Sequence, residues 1–319
     1  MTRILLTGAG FTKNWGGLVA SEFFSRLLGQ TLDDDVRSML LKNRNFETVM
    51  ATLQGDYTHS KSDHALRRLE RFTSAVLGIF NGMNNHIART PFEFDNDVNH
   101  SVTKFLQRFD AIFTLNQDGL LEMHYFQHFV GSRWTACELP GMKHFGPPSH
   151  VQSFTPMGQL TKKCPAEEYR PHPQCQPYFK LHGSANWVTD ARSGPLLILG
   201  GQKSAQLGLH PILTQYQTEF RGYLNRPGVK MMIVGYGFGD DHINDLILDG
   251  VNNQLKIFVV DPDGIDVFDM DDHTAAIPGP PHPFTEALQK ACIGESREPL
   301  SFTFGPRGGA ERDLLYSFF

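Results

Sequence analysis

The stretch Ala111-Ile112-Phe113-Thr114-Leu115-Asn116-Gln117-Asp118-Gly119-Leu120-Leu121-Glu122 decides how this chain is read. Its apolar start has the texture of a short buried strand, Gly119 turns the chain, and Leu120-Leu121 open a helix. In open α/β sheets, ligands bind in the crevice beyond the carboxyl ends of the strands. Asn116 and Asp118, two positions apart at such an end, can both reach a ligand there. The same pair also suits an Asx turn, in which the side chains only bond the local backbone. The stretch alone leaves both readings open.

The same grammar recurs on either side. Arg3-Ile4-Leu5-Leu6 is a short apolar run ending at Thr7-Gly8-Ala9-Gly10, followed by an amphipathic helix over Leu18–Leu28. Strand, glycine turn and helix present free backbone N–H groups to a phosphate or ribose. A Cβ in the turn would hold such a ligand off. The dinucleotide fingerprint G-x-G-x-x-G wants a third glycine where Lys13 stands, so the match is partial. Downstream, Tyr178-Phe179-Lys180-Leu181 reads as a strand ending in His182-Gly183-Ser184, and Leu196–Leu199 as another. After a helix near Ile212–Leu224, the strand Val229–Val234 ends in Gly235-Tyr236-Gly237-Phe238-Gly239-Asp240 and feeds a helix over His242–Val251. A last strand, Leu255–Val260, ends at Asp261.

Between the first two strands the texture is helical. Asp33-Asp34-Asp35 marks a helix start, and apolar residues recur at helical spacing from Val36 to Leu53 and from Leu66 to about Phe80. The segment Gly131–Pro177, rich in Gly, Pro and His, is expected to be irregular. Strands alternating with helices predict an α/β fold: a Rossmann-like, doubly wound, mostly parallel sheet. The expectation is a single domain over residues 1–319 with a helical insertion at 31–97.

Composition narrows the function. The 319 residues carry a net charge of -5, with 40% hydrophobic and 20% charged residues, an ordinary globular balance. Without clustered Lys/Arg, nucleic acid is not an expected partner. No apolar run reaches the roughly 18 residues of a membrane span, and the short apolar N-terminus is not a signal peptide. The four cysteines, Cys137, Cys164, Cys175 and Cys292, form no C-x-x-C pair. A structural zinc site and a disulfide framework are therefore not expected, and a reducing, cytoplasmic setting is. His144, His150 and His172 with Cys164 and Cys175 are too irregularly spaced to predict a metal, and none is predicted elsewhere.

In a parallel sheet the ends at Gly8-Ala9-Gly10, Asn116-Gln117-Asp118, His182-Gly183-Ser184, Gly235-Tyr236-Gly237-Phe238 and Asp261 share one edge. The glycine turns can approach phosphate or sugar, and Asp261 can accept hydrogen bonds from ribose hydroxyls. That leaves Asn116, Asp118 and His182 to act on the ligand. A histidine is suited to acid–base work because it titrates near working pH.

These residues resemble a known family. Thr7-Gly8-Ala9-Gly10-Phe11-Thr12 is similar to the N-terminal nucleotide-binding signature of sirtuin-like (silent information regulator-like) proteins. Thr114-x-Asn116-x-Asp118 resembles their T-x-N-x-D motif, and Lys180-Leu181-His182-Gly183-Ser184 the L-H-G element with the catalytic histidine. Gly235-Tyr236-Gly237-Phe238-Gly239-Asp240 resembles the G-Y-S-F-G-D turn of the bacterial sirtuin-like branch. The order matches from Thr7 to about Asp261. Two features depart from protein-deacylating sirtuins: Lys13-Asn14-Trp15-Gly16-Gly17 stands in place of their P-D-F-R element, and their paired C-x-x-C zinc module is missing. Both point to the bacterial branch, which is similar to NAD-cleaving effectors of antiphage defence.

The resemblance implies hydrolysis of NAD to nicotinamide and ADP-ribose, with NAD as substrate and no metal. Asn116 would position the nicotinamide-side ribose and the attacking water, and His182 would act as general base. Asp118 would orient the ribose or nicotinamide, or serve only the turn. Phe11 and Trp15 are expected to close over the nicotinamide or sugar, or to pack the first helix. An unrestrained NAD hydrolase would drain its own cell, so a separate activating protein or a homo-oligomeric switch is expected. The alternatives are an NAD-dependent protein deacylase and a non-catalytic nucleotide sensor.

Overall fold

The computed structural model describes residues 1–126, 133–143, 159–161, 169–188, 195–198, 207–269 and 283–319. The strand expected at Leu196–Leu199 is β8 (Pro195–Leu197), and five more strands meet the sequence expectation: β1 (Arg3–Thr7), β2 (Ala111–Thr114), β6 (Cys175–Lys180), β9 (Lys230–Val234) and β10 (Lys256–Val260). Apart from the first residue of some, they are buried along their length. That accounts for sequence runs that are continuously apolar rather than alternating, since a parallel sheet is covered on both faces.

These five strands belong to a seven-stranded sheet, completed by β3 (Ala136–Glu138) and β11 (Cys292–Ser296) and ordered β11-β10-β9-β1-β2-β6-β3, in which every pair is parallel. The chain winds outward from β1 through β2 to β6, then returns to the other side of β1 for β9, β10 and β11. It is a Rossmann-like, doubly wound α/β fold with flanking helices, and its direction reverses between β1 and β9.

The edges of the sheet come from segments that sequence texture did not mark. β11 (Cys292–Ser296) pairs with β10, and β3 (Ala136–Glu138) pairs with β6. The segment Gly131–Pro177 is thus not irregular throughout. It also holds β4 (Met142–Lys143), β5 (Gln159–Thr161) and the start of β6. β4, β5, β7 (Gly183–Val188) and β8 (Pro195–Leu197) form a second, four-stranded sheet. Strands of two or three residues are too short to show a period, so proline and histidine content dominated the reading. His144, His150 and Cys164 lie outside the described residues.

Between β1 and β2 run α1 (Ala9–Lys13), α2 (Ala20–Leu28), α3 (Asp34–Asn43), α4 (Phe46–Ser60), α5 (Asp63–Ile87) and α6 (Val102–Leu106). Asp33 pairs with Arg71 at 2.7 Å and Asp35 with Arg68, fastening α3 to α5. α5 continues two turns past Phe80, because Met83, Asn84 and Ile87 keep the buried spacing. α7 (Leu120–His124) follows the opening stretch, α8 (Pro211–Leu224) precedes β9, and α9 (Asp241–Asn252) follows it. α10 (Pro283–Ala291) leads into β11, followed by α11 (Leu300–Thr303) and α12 (Gly309–Tyr316). The chain end returns to the start of the sheet: the carbonyl of Phe319 accepts from Arg3, and that of Phe318 from Lys230 at 3.0 Å. No helix among the described residues is long and apolar enough to cross a membrane.

Candidate active site

Register fixes where the strand ends lie. Thr7 is level with Thr114 on one side and Val234 on the other, Thr114 with Lys180, and Val234 with Val260. All five ends therefore open onto one edge. A cavity of about 790 Å³ lies there, within the roughly 300–1,000 Å³ usual for small-molecule and cofactor sites. Gly8, Ala9, Gly10, Asn116, Asp118, His182, Gly235, Tyr236, Gly237 and Asp261 all line it.

The floor is built from backbone. The N–H of Gly8 donates to Val234 O at 3.0 Å, that of Gly10 to Gly235 O at 2.9 Å, and that of Phe11 to Gly8 O at 2.9 Å. The first glycine turn is thus stitched to the end of β9 and does not hold these N–H groups free for a phosphate. Glycine is required for that contact rather than for ligand approach alone. A Cβ on Gly8 would overlap Gly235 O and the Tyr236 backbone, and one on Gly235 would overlap Gly10 and the nitrogen of Phe11. Gly235 also sits at φ +62°, a region that suits glycine.

The polar wall is built from side chains. Asn116 is held at both ends of its residue: its N–H donates to Thr114 Oγ1 at 3.0 Å, and its Nδ2 to Thr12 Oγ1 at 2.8 Å. Thr12 takes one of the two Nδ2 hydrogens, which fixes the plane of the Asn116 amide. Asp118 accepts the N–H of Leu120 through Oδ1 at 3.0 Å, an Asx turn leading into α7, while still lining the cavity. The turn reading of the opening stretch thus holds for Asp118, and both Asn116 and Asp118 line the cavity.

Beneath them lies a buried ion pair. Lys180 Nζ meets Glu122 Oε1 at 2.7 Å, with both side chains almost fully buried, and also donates to the Asp118 carbonyl. It couples the Asn116–Asp118 turn to the strand that carries His182. Burial, and after it the Glu122 charge, pushes the Tyr178 phenol well above its ordinary range, so it stays protonated beside this pair. His182 itself sits between β6 and β7, where the chain passes from the large sheet to the small one. It is 3% exposed, and its Nε2 lies 3.1 Å from Nε2 of His242.

Several expected ligand contacts fall elsewhere. Phe11 and Trp15 do not line the cavity. Trp15 is fully buried, stacks on Phe92 and Phe94 at centroid distances of 5.2 and 5.0 Å, and donates through Nε1 to Phe92 O at 2.9 Å. Phe11 packs against Trp15 at 5.1 Å. Their aromatic surface is used in the core, so neither closes over a ligand in this arrangement. Thr12 acts through Asn116 instead of lining the cavity. Gly183 enters β7, and Ser184 donates to the Gln117 carbonyl at 3.0 Å, latching the Asn116–Asp118 turn. Phe238, buried at φ +51°, packs against Phe268 and Phe284. Asn244 fixes its turn by donating to Phe238 O at 2.7 Å and accepting from Tyr236 at 2.8 Å.

The wall also contains residues that sequence reasoning did not select. Asn45, Phe46 and Glu47 at the start of α4, and Phe80 and Met83 of α5, supply a partly apolar side. Glu298, Pro299, Leu300 and Ser301 close the cavity from the C-terminal region, tied to the first turn by the Ser301 N–H bond to Asn14 Oδ1 at 3.1 Å. Helical periodicity marks a core face but not which end of it borders a cavity, so these positions gave no signal. Gln117 donates to Ile198 O at 2.9 Å and lines the cavity as well.

Charge in the cavity is mostly negative. Glu47, Asp118, Asp240, Asp261, Asp263 and Glu298 line it, against Lys13 alone among its described lysines and arginines. Lys13, the residue that breaks the glycine fingerprint, pairs with Glu22. Burial raises the pKa of Asp261. The N–H of Asp263, 3.1 Å from its Oδ1, opposes that rise and the Asp263 charge adds to it, with a net upward shift.

No family model matches the sequence, and no curated protein matches it. Solved structures of Sir2 proteins superpose loosely on the chain. One, Sir2Tm bound to a propionylated peptide, is 15% identical with a TM-score of 0.43, covering 98% of this chain and 94% of that one. A mutant Sir2 homologue in complex with 2′-O-acetyl ADP-ribose is 16% identical with a TM-score of 0.44, covering 98% and 93%. Sir2 with a p53 peptide and NAD+ is 13% identical with a TM-score of 0.41, covering 95% and 90%. At such low identity and loose overlap, the site has to be read from its own residues.

Proposed function

We propose that this chain is a single-domain, sirtuin-like NAD+ glycohydrolase that cleaves the nicotinamide–ribose bond to nicotinamide and ADP-ribose. The observation that carries the reading is the meeting of Asn116, Asp118 and His182 on one cavity, at the ends of β2 and β6 beside the switch point. Sequence motifs far apart in the chain converge there, and their order is that of the sirtuin-like branch.

The chemistry suits the wall. As the glycosidic C–N bond breaks, its electron pair leaves with neutral nicotinamide and the sugar develops oxocarbenium-like charge. A pre-aimed amide oxygen at Asn116 and carboxylates at Asp118 and Asp261 favour that charge without reorganising. Neutral His182 takes a proton from the attacking water as its oxygen bonds to the anomeric carbon. The partly apolar side formed by Phe46, Phe80 and Met83 offers a surface for the nicotinamide ring. The inferred setting is the cytoplasm, with an antiviral defence role in which a partner protein or self-association switches on NAD depletion. The helical insertion at 31–97 would be part of the catalytic domain, since α4 and α5 wall the cavity.

The test is to incubate the purified chain with NAD+, alone, with the protein encoded beside it, and with an acetylated peptide, following nicotinamide and ADP-ribose. Release of both products without peptide is expected. Release only with peptide, accompanied by a deacylated product, would replace this reading with the deacylase. Saturable NAD+ binding without any release would replace it with the sensor.

A further inference from the structure

His242 was not among the residues the sequence singled out, yet its imidazole meets that of His182. It sits in the first turn of α9, which starts one residue after Asp240. The imidazoles of His182 and His242 lie with centroids 5.1 Å apart and their Nε2 atoms 3.1 Å apart. One ligand atom each from His182, Asp240 and His242 lie within 4.8 Å of one another. Two Nε2 atoms converging this closely match the spacing of adjacent donors around a tetrahedral ion with bonds of about 2.0–2.1 Å to nitrogen.

We propose that His182, Asp240 and His242 form a site for a divalent cation of the zinc class, whose occupation silences the enzyme. Two neutral imidazoles and one carboxylate are a borderline-soft N/O donor set, suited to zinc rather than to calcium or magnesium. They give the site one negative charge, and the surrounding cavity adds Asp118, Asp261 and Asp263. His182 and Asp240 line the cavity, so a fourth coordination position would open into it. An Nε2 that binds the ion carries no proton, so each imidazole would ligate as its Nδ1–H tautomer. The ion would occupy the same His182 nitrogen that faces His242 and would remove the histidine from acid–base work. The silencing half of the proposal rests on reading His182 as the base; the metal site does not.

The two halves are tested separately. Chelator-stripped protein is titrated with Co²⁺ and followed by visible absorption. One saturating equivalent with tetrahedral d–d bands, displaced by Zn²⁺, is expected. His242→Ala and Asp240→Asn should each weaken Co²⁺ binding by about tenfold or more, the loss typical even of residues outside the ligand set. Asp240→Asn leaves the backbone bonds between residue 240 and Tyr236 in place, so the fold is spared. Featureless titration, or wild-type affinity in both variants, overturns the site. In the activity arm, Zn²⁺ should suppress nicotinamide release by wild type, and His242→Ala should raise the inhibiting concentration by the factor seen with Co²⁺. Bound Co²⁺ with unaffected turnover overturns the silencing alone. Absence of turnover in every sample counts against the proposed activity, while the absorption titration still decides the site.

Discussion

The two halves of the cavity rim are built on different principles. The half at β1 and β9 is backbone against backbone: Gly8 and Gly10 interlock with Gly235, and their N–H groups are used in doing so. The half at β2 and β6 is side chain against side chain: Thr12 orients Asn116, Ser184 latches Gln117, and Lys180–Glu122 locks the turn to its neighbouring strand. At Gly8, Gly10 and Gly235 the glycine half leaves no room for an added atom. The polar half is a set of adjustable groups, each held by one or two bonds. Substitutions in the first should therefore cost the fold, and substitutions in the second should cost chemistry at modest cost to the fold, with the buried ion pair as the exception.

The largest effect is expected at Gly235. Gly235→Val adds a β-branched side chain at φ +62° against the Gly10 and Phe11 backbone. Strain of about 1–3 kcal/mol and overpacking of about 1–3 kcal/mol add to roughly 2–6 kcal/mol. That is a large part of the roughly 5–15 kcal/mol that holds a domain together. Chemical denaturation should show this loss. A melting curve like that of wild type would break the view that this half is a rigid contact.

Next comes the exception in the polar half. Lys180→Met leaves the Glu122 carboxylate buried without its cation, which typically costs about 3–5 kcal/mol. Adding Glu122→Leu should return much of it. If the double variant is no more stable than Lys180→Met alone, the pair is not coupled as the geometry indicates.

A smaller structural and larger kinetic effect is expected for Thr12→Val. It removes the acceptor that holds Asn116 Nδ2, costing about 1–3 kcal/mol of stability for the stranded donor. A displaced catalytic group can lose up to roughly 10²-fold in rate. A KM change with kcat intact would show that Thr12 shapes binding instead.

The smallest effect is a pH trend. Burial raises Asp261 above its ordinary value, so the folded chain holds that proton more tightly than the unfolded one. Its contribution to stability is full below the ordinary aspartate pKa of about 3.9 and is lost as pH rises through the raised folded value. Asp261→Asn should flatten that limb of the stability profile and leave the rest unchanged. An unchanged limb would place the carboxyl in a less buried setting.

The same division explains what the sequence revealed. Five strand ends were legible because a covered parallel strand must be apolar until it leaves the sheet, and because glycine and polar residues appear where it does. Asn116, Asp118 and His182 were legible as groups at such ends. The inward assignments of Phe11, Trp15 and Phe238 were not, since a buried aromatic and a ligand-stacking one look alike in a string. His242, Thr12's grip on Asn116 and the C-terminal wall at Glu298–Ser301 depend on contacts between distant segments, which carry no local pattern. β3, β4 and β5 were hidden by their brevity.

The central claim is that Asn116 and His182 perform NAD+ cleavage rather than hold the fold. The measurement is nicotinamide release from NAD+ by wild type, Asn116→Ala and His182→Ala under activating conditions, with each variant's melting temperature measured alongside. Losing a general base typically costs 10²–10⁴-fold, so roughly that drop is expected for His182→Ala and a comparable one for Asn116→Ala, both at near wild-type melting temperature. Undiminished release by either folded variant would contradict the account.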